Sequence, residues 1–357
     1  MKNKIMTISF VGIIFSIFFL NMFNKDKDLS YTERRHLSKF PSISYDNIMS
    51  GKFMDKFESY TLDQFIGRDS FRKVKALTEF NIFRKKDNNN IFIKDDYIFK
   101  LEYPLNEKKV NTFITKINNV YNNYLKDMNV YFSIIPDKNY FLPDNYLKLD
   151  YEKMFNMVSN GLNNMKYIDI TDSLTLDDYY LSDTHFKQDR IDKVVEKLAS
   201  VMHFSYQNNY EKHEYYPFYG VYYGQSAIGG KADTITYLTN DTIDNALVKD
   251  YDSDLKTVYE VSSLGKMDSY DVFLSGATPL VEITNTKSKT DKELIIFRDS
   301  FGSTLAPLLL DGYAKITLVD LRYMPSNMLT DYIEFKDQDV LIIYSALLIN
   351  NSDAIKG

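Results

Sequence analysis

Apolar residues are distributed along the chain in three patterns, and each pattern predicts a different kind of element. The segment 5–24 carries no charged residue, which is typical of a membrane-spanning helix, because about 20 apolar residues are needed to cross a bilayer. Within residues 51–83 and 110–128, apolar side chains recur every three or four positions, which predicts amphipathic helices. After residue 129, short continuous apolar runs predict buried strands.

Up to residue 128 the chain is predicted to be mainly helical. "GKFMDKFESYTLDQF" carries Phe53, Phe57, Tyr60 and Phe65 at nearly helical spacing, and a second helix follows it. "DNNNIFIKDDYIFK" predicts a turn and a hairpin, and "VNTFITKINNVYNNYLKDM" predicts a further amphipathic helix. The second helix carries a stripe that recurs every three residues: Phe71, Val74, Leu77, Phe80 and Phe83.

Five apolar runs after residue 129 are strand candidates: "VYFSIIPD" (130–137), "KYIDI" (166–170), "ELIIF" (293–297), "KITLV" (315–319) and "DVLIIY" (339–344). Helical stretches separate them, so they predict an α/β fold with a mostly parallel sheet flanked by helices. The Tyr-rich region of about 210–285, with β-like segments such as "DTITYLT" and "SYDVFL", is interpreted as an insertion. Within it, "GQSAIGGKAD" is predicted to be a flexible loop, because its lysine does not have phosphate-loop spacing.

The N-terminal apolar segment favours a membrane anchor. Lys2 and Lys4 precede it, which favours a cytoplasmic N-terminus. Its end, "FFLNMFNKD", lacks the small residues of a cleavage site, so an uncleaved signal anchor is favoured over a cleaved signal peptide. Under either interpretation the rest of the chain lies outside the cytoplasmic membrane. We therefore predict an anchor at 1–24, a linker at 25–48 and one extracytoplasmic domain at 49–357.

Composition excludes several classes of function. The 357 residues carry a net charge of −6 with both signs interspersed, which argues against nucleic-acid binding. There is no cysteine and there are only four histidines, so disulfides, thiolate metal sites and a cysteine nucleophile are excluded. We expect no cofactor. We also expect no metal, because a metal site needs further ligands and His203 and His213 lie in ordinary surface or packing contexts.

The tetrapeptide "RDSF" occurs twice, and its two contexts predict different roles. Ser70 follows "DQFIG" and precedes the helical stripe, so Asp69 or Ser70 is predicted to cap that helix. Ser300 follows the strand "ELIIF" and precedes a helix. A strand, a sharp turn and a helix expose a serine at the carboxyl edge of a parallel sheet, as a nucleophile requires.

A general base for Ser300 is available in "YLSDTHFKQDR". Asp183 and His185 are one residue apart, so the carboxylate can orient the imidazole, and the imidazole can accept the serine proton. Two alternatives stay open for this pair: His185 is a solvated loop histidine, or Asp183 and His185 form half of a metal site. Lys138, Arg322 and Tyr344 stand at or just past the ends of three of the predicted strands and are candidates for substrate binding or the oxyanion hole, although Arg322 can instead pair with Asp320.

These segments together resemble the DHHW family of bacterial surface proteins, which is similar to the alginate O-acetyltransferases with an SGNH-hydrolase-like fold. The resemblance rests on "ERRHLSKFPSIS", "ESYTLDQFIGRDSF", "IIPDKNYFLPD", "SDTHF", "YDVFLSGATPLVEITN" and "IFRDSFGSTLAPLL", and it covers most of the chain. Thr184 and Phe186 stand where the family name implies histidine and tryptophan. Arg298 stands where ordinary SGNH enzymes have glycine before Asp-Ser.

The resemblance implies a circularly permuted SGNH-like sheet in which Asp183, His185 and Ser300 form a catalytic triad. It implies O-acetyl transfer to an exopolysaccharide or cell-wall polymer through an acyl-serine, with a membrane-bound O-acyltransferase as the acetyl donor. A carbohydrate acetylesterase with the same triad and a non-catalytic surface or assembly protein remain alternatives.

Overall fold

The computed structural model of the chain describes residues 2–251 and 255–356, and its contacts divide them into two compact units. The first unit contains the residues up to Asn89 together with Tyr223–Gly229, and the second contains Asn90–Tyr222 and the residues from Gly230 onward. The predicted division into anchor, linker and domain is a different partition of the chain, and it stays a prediction.

The first unit is mainly helical. Helix α1 (Lys2–Phe23) is long and apolar enough to cross a membrane, and none of its residues is buried. The short strands β1 (Leu29–Ser30) and β2 (Arg35–His36) pair in antiparallel fashion. Helices α2 (Tyr45–Met49), α3 (Lys52–Asp63) and α4 (Arg68–Asn81) follow, so the two predicted amphipathic helices are present as α3 and α4.

One detail of α4 differs from the sequence-based expectation. The residue that caps α4 is Gly67, with a φ of 71°, and neither Asp69 nor Ser70 holds that position. The predicted cap was wrong because the helix begins at Arg68, whereas a cap at Asp69 or Ser70 would place the first helical residue at Ser70 or Phe71. A glycine adopts the left-handed conformation at no steric cost, so Gly67 can form the turn that directly precedes α4. Ser70 lies exposed within the first turn of α4.

The second unit is built on an eight-stranded sheet. Along the chain it contains the hairpin β3 (Ile91–Lys94) and β4 (Tyr97–Lys100), α5 (Glu107–Val120), β5 (Asn129–Ile135), α6 (Tyr151–Gly161), β6 (Lys166–Tyr167), α7 (Asp192–Met202), β7 (Glu211–Phe218), α8 (Val221–Ser226, which extends into the first unit), β8 (Asp233–Thr239), α9 (Asp241–Asp244), β9 (Leu247–Asp250), β10 (Leu255–Lys256), β11 (Leu280–Thr284), β12 (Glu293–Arg298), α10 (Phe301–Leu309), β13 (Lys315–Val319), β14 (Asp339–Ser345) and α11 (Ala346–Asn350).

The strand order of the sheet is β10-β9-β11-β13-β12-β14-β5-β6. The five strands β13, β12, β14, β5 and β6 are mutually parallel, whereas β11, β9 and β10 extend the sheet in antiparallel fashion. The parallel strands are those that the five apolar runs predicted, and the α/β fold is confirmed. Their carboxyl ends share one edge, where functional residues of such sheets gather.

Both faces of the parallel sheet are buried. On β12, Leu294 and Ile296 pack in one apolar core with α7 and α10, whereas Ile295 and Phe297 pack in a second core with α5, α6 and α11. This two-sided burial explains why the strand sequence is continuously apolar. In the predicted insertion, "DTITYLT" forms β8, but "SYDVFL" was wrongly assigned β character: Ser269–Val272 forms a 3-10 turn.

A group of charged side chains stabilises the first unit. Arg35 donates two hydrogen bonds to Asp63, of 2.5 and 2.9 Å, and the backbone N–H of Ser38 donates a third, of 2.8 Å. Glu33 is paired with Arg68 at 2.5 Å and with Arg72 at 3.2 Å. The bond from Arg35 holds the pKa of Asp63 well below its usual range, although burial opposes the shift.

Asp63→Asn is expected to destabilise the first unit by about 1–3 kcal/mol, because it leaves hydrogen-bond donors without a charged acceptor. The pKa of Asp63 is lower in the folded chain than the unfolded value of about 3.9. The stabilisation that the Asp63 carboxylate gives the folded chain is therefore complete above about pH 4 and is lost as the pH falls further. Hydrogen exchange of residues 29–81 measures the effect. Asp28→Asn is the control, since Asp28 and its partner Lys39 are both exposed, and an equal effect of this control would contradict the assignment.

Candidate active site

Ser300 lies in the turn between β12 and α10, at the carboxyl edge of the parallel strands. The carboxylate of the adjacent Asp299 accepts hydrogen bonds from two backbone N–H groups. Its Oδ1 accepts from the N–H of Phe301 at 3.1 Å, and its Oδ2 accepts from the N–H of Ser345 at 2.9 Å. Ser300 precedes α10, but its side chain makes no capping hydrogen bond. The aspartate of "RDSF" thus makes the local turn contacts, and the serine oxygen is available for another partner.

That partner is His185. Its Nε2 lies 2.7 Å from Ser300 Oγ, and its Nδ1 lies 2.6 Å from Asp183 Oδ1. A carboxylate can only accept, so Nδ1 carries a proton and Nε2 is free to accept one from the serine hydroxyl. The structure therefore brings Asp183, His185 and Ser300 into one chain of hydrogen bonds.

Asp183 is held by the backbone around it. Its Oδ1 also accepts from the N–H of His185 at 3.1 Å, and its Oδ2 accepts from the N–H of Val221 at 2.8 Å. The residue is 1% exposed. Hydrogen bonds to the charged form stabilise a buried carboxylate, so Asp183 is fixed in position before any substrate arrives.

The loop that carries Asp183 is fixed in turn by Asp233, at the start of β8. The Asp233 carboxylate accepts from the N–H of Leu181 at 2.7 Å, from the N–H of Ser182 at 2.9 Å and from Ser182 Oγ at 2.6 Å. Ser182 Oγ then accepts from the N–H of Gly220 at 2.8 Å. Asp233 is the last residue of "GQSAIGGKAD", and sequence reasoning missed its role because a local pattern does not reveal a partner 51 positions away.

The imidazole is enclosed by aromatic rings. The ring of Tyr270 is stacked on it with centroids 3.8 Å apart and an angle of 11°, and the ring of Phe301 lies 4.7 Å away. Tyr270 is anchored through a hydrogen bond between its hydroxyl and Thr304. These contacts restrict rotation of the His185 ring. The sequence offered one signal for Tyr270, the family-like segment "YDVFLSGATPLVEITN".

Lys138, predicted as a substrate or oxyanion contact, is 3% exposed beneath the Asp183 loop. Its Nζ donates to the carbonyl of Ile98 at 2.6 Å and to the carbonyls of Tyr180 and Leu181 at 3.1 Å each. Burial lowers the pKa of the amine to about 7, although nearby Asp183 opposes the shift. In this position the side chain supports the loop from below.

Arg322 and Tyr344 are also engaged within the protein. Arg322 makes hydrogen bonds of 2.6 to 3.2 Å to both oxygens of Asp320, the structural pairing considered from the sequence. Tyr344 is fully buried and lies edge-on against Phe113, with centroids 5.6 Å apart. The structure does not bring either side chain to the Ser300 hydroxyl, and their role in substrate binding stays a prediction. Among the described residues, no cluster of three or more His, Cys, Asp or Glu side chains is suited to a metal ion.

Comparison with solved structures places this fold among known ones. The chain superimposes on a DHHW family protein from Eubacterium siraeum with a TM-score of 0.64 and 19% identity, covering 76% of this chain and 96% of that one. It superimposes on Bacillus cereus PatB1, whose structure was also determined with a sulfonyl adduct, with TM-scores of 0.58 and 0.56 and 16% identity, covering 72% of this chain and at least 95% of PatB1.

The O-acetyltransferase domain of Pseudomonas putida AlgJ matches over 73% of this chain and 92% of that domain at 10% identity, but its TM-score of 0.44 is too low to support an argument. No protein-family model and no curated protein sequence matches the chain. The fold is therefore shared with a DHHW family protein and PatB1, as the resemblance implied.

Gly220→Ala is expected to disrupt the site, because an added Cβ would lie 2.3 Å from the Cβ of Asp183. Movement of Asp183 would break its bond to His185 and slow the reaction of Ser300 with a sulfonyl fluoride. Mass spectrometry of the labelled protein measures that rate, and a thermal melt confirms that the variant is folded. Labelling of folded Gly220→Ala at the wild-type rate would contradict this role of Gly220.

Lys138→Met tests the amine beneath the loop. In the unfolded chain a lysine has a pKa of about 10.4, whereas in the folded chain the pKa of Lys138 is about 7. Between these values the unfolded state binds the additional proton, so the free energy of unfolding rises with pH. Urea unfolding from about pH 7 to pH 10 should show this rise in the wild type and a flatter profile in Lys138→Met. Parallel profiles would contradict the assignment.

Proposed function

We propose that this protein is an O-acetyltransferase that transfers acetyl groups to a polysaccharide outside the cytoplasm, through an acyl-serine on Ser300. The observation that carries the proposal is the chain of hydrogen bonds from Asp183 through His185 to Ser300 Oγ, of 2.6 and 2.7 Å. A serine paired with an oriented histidine is the arrangement that activates a hydroxyl as a nucleophile.

The first half of the reaction acylates the serine. Ser300 Oγ attacks the carbonyl carbon of the acetyl donor while its proton moves to His185 Nε2. The bond from the carbonyl carbon to the leaving group then breaks, and the leaving group takes the proton from Nε2. Asp183 stabilises the imidazolium that forms between these steps.

The second half transfers the acetyl group. A sugar hydroxyl attacks the carbonyl carbon of the acyl-serine and gives its proton to His185 Nε2. The Ser300 ester bond breaks, and Ser300 Oγ recovers the proton. We propose that the N–H of Ser300, the residue that directly precedes the nine-residue helix α10, donates to the negative oxygen of each tetrahedral intermediate, because helix N-termini favour negative charge.

The position of the protein in the cell is part of the proposal. Helix α1 is long and apolar enough to cross a membrane, and we propose that it holds the second unit at the outer surface of the cell membrane. An acetyl donor must then be supplied through or from the membrane. A membrane-bound O-acyltransferase is the partner that fits this need, and an exopolysaccharide or cell-wall polymer is the acceptor.

The test uses p-nitrophenyl acetate as the donor, with and without an oligosaccharide acceptor. Wild-type protein should form an acetylated oligosaccharide, His185→Ala should lower the rate about 10²–10⁴-fold, and Ser300→Ala should abolish it. Ser70→Ala is the matched control, because Ser70 lies in the other "RDSF" and is exposed on α4; it should behave as wild type.

Two outcomes would contradict the transferase. Release of acetate without transfer to any acceptor, still dependent on Ser300, indicates an acetylesterase with the same residues. The absence of Ser300-dependent turnover, together with no labelling of Ser300 by a sulfonyl fluoride, indicates a non-catalytic surface protein.

A further inference from the structure

The outer face of helix α4 is apolar, which is unusual for a surface helix. Phe71 and Val74 are each 59% exposed, and Leu77 is 37% exposed. Their spacing of three places them on one face, while Ala76 is fully buried on the other side of the helix. The stripe therefore faces outward, whereas an amphipathic helix of a soluble protein turns such a stripe toward its core.

Residues just before α4 extend this apolar face. Phe65 and Ile66 are each 36% exposed, and the ring of Phe65 meets that of Phe71 edge-on with centroids 5.6 Å apart. We call Phe65, Ile66, Phe71, Val74 and Leu77 the outer patch. Contiguous exposed apolar groups of this kind mark a surface that is covered by something else.

The outer patch begins next to the end of the apolar helix α1. The side-chain oxygen of Asn21 accepts from the N–H of Ile66 at 2.7 Å. Gln64 accepts from the N–H of Lys27 at 2.9 Å and donates to the carbonyl of Lys27 at 3.0 Å. The start of α4 is thus tied to the last turn of α1 and to the residues that directly follow it.

The length of α1 fixes the depth at which this contact occurs. Its 22 residues span about 33 Å at the helical rise, and the hydrocarbon core of a bilayer is about 30 Å thick. When α1 spans the bilayer, Asn21 lies close to one boundary of the hydrocarbon core. Ile66, which is bonded to Asn21, must lie at the same depth.

We propose that the outer patch is a membrane-contacting surface, which inserts into the same bilayer that α1 crosses. Continuity with α1 selects lipid as the occupant, because the patch begins at the bilayer boundary. Apolar helix faces of this kind lie about 5–10 Å deep, at the boundary between headgroups and acyl chains. The surface belongs to the first unit and does not depend on the chemistry of Ser300.

The sequence makes this proposal directly testable, because the chain contains no tryptophan. The full-length protein is reconstituted into phosphatidylcholine vesicles with Phe71→Trp or Val74→Trp as its only tryptophan. Emission at both positions should be shifted to shorter wavelength and quenched by lipids brominated on the acyl chain, and the quenching should place the indole at the depth given above.

Two matched variants serve as controls. Lys73→Trp places the indole on the same helix but outside the stripe, and Tyr216→Trp places it on β7 at a position that is 68% exposed. Both should be quenched by iodide from the aqueous phase and not by brominated lipid. The two positions in the patch keep the test decisive if one variant does not fold.

Three results would overturn the proposal. Iodide quenching of Phe71→Trp and Val74→Trp equal to that of the controls would show that the patch faces water. A blue-shifted emission that depends on protein density and ignores brominated lipid would identify a second copy of the chain as the occupant. Equal quenching by brominated lipid at Lys73→Trp would show immersion of the whole helix instead of one face.

Discussion

The candidate site depends on the hydrogen bonds that the buried carboxylate of Asp233 accepts. This carboxylate accepts three hydrogen bonds from Leu181 and Ser182, and these bonds compensate for the burial of a polar group that is only 5% exposed. The loop is thereby fixed two residues before Asp183. The N–H of Gly220, bonded to Ser182 Oγ, joins the same network, and so β8 and the chain before α8 determine where the imidazole stands.

A second constraint comes from the parallel sheet. Ser300 and His185 are separated by 115 positions, yet their side chains meet at 2.7 Å. The sheet makes this possible because parallel strands deliver their following loops to one edge. β12 delivers Ser300, and the neighbouring β14 delivers the N–H of Ser345 that fixes Asp299. The geometry of Ser300 thus rests on contacts from two strands.

Sequence alone predicted the elements that depend on local patterns. The five apolar runs identified the parallel strands, because burial on both faces removes polar residues from them. The same logic separated the two "RDSF" segments, since only Ser300 follows such a run. Asp233, Gly220 and Tyr270 were not found, because each acts through a partner that is distant along the chain. Periodicity also identified α4, but it did not reveal that the stripe of Phe71 and Val74 faces outward.

The hydrogen bonds between Gln64 and Lys27 have a mechanical consequence. A membrane protein with a free tether samples a deep volume above the bilayer, as a flexible linker allows. Here the chain is bonded to its own folded unit within a few residues of the end of α1, so the connection acts as a stiff spacer. In the membrane position proposed above, the first unit would be restricted to a thin layer at the membrane surface, and its encounters with other molecules held in that layer would become a search in two dimensions at a raised effective concentration.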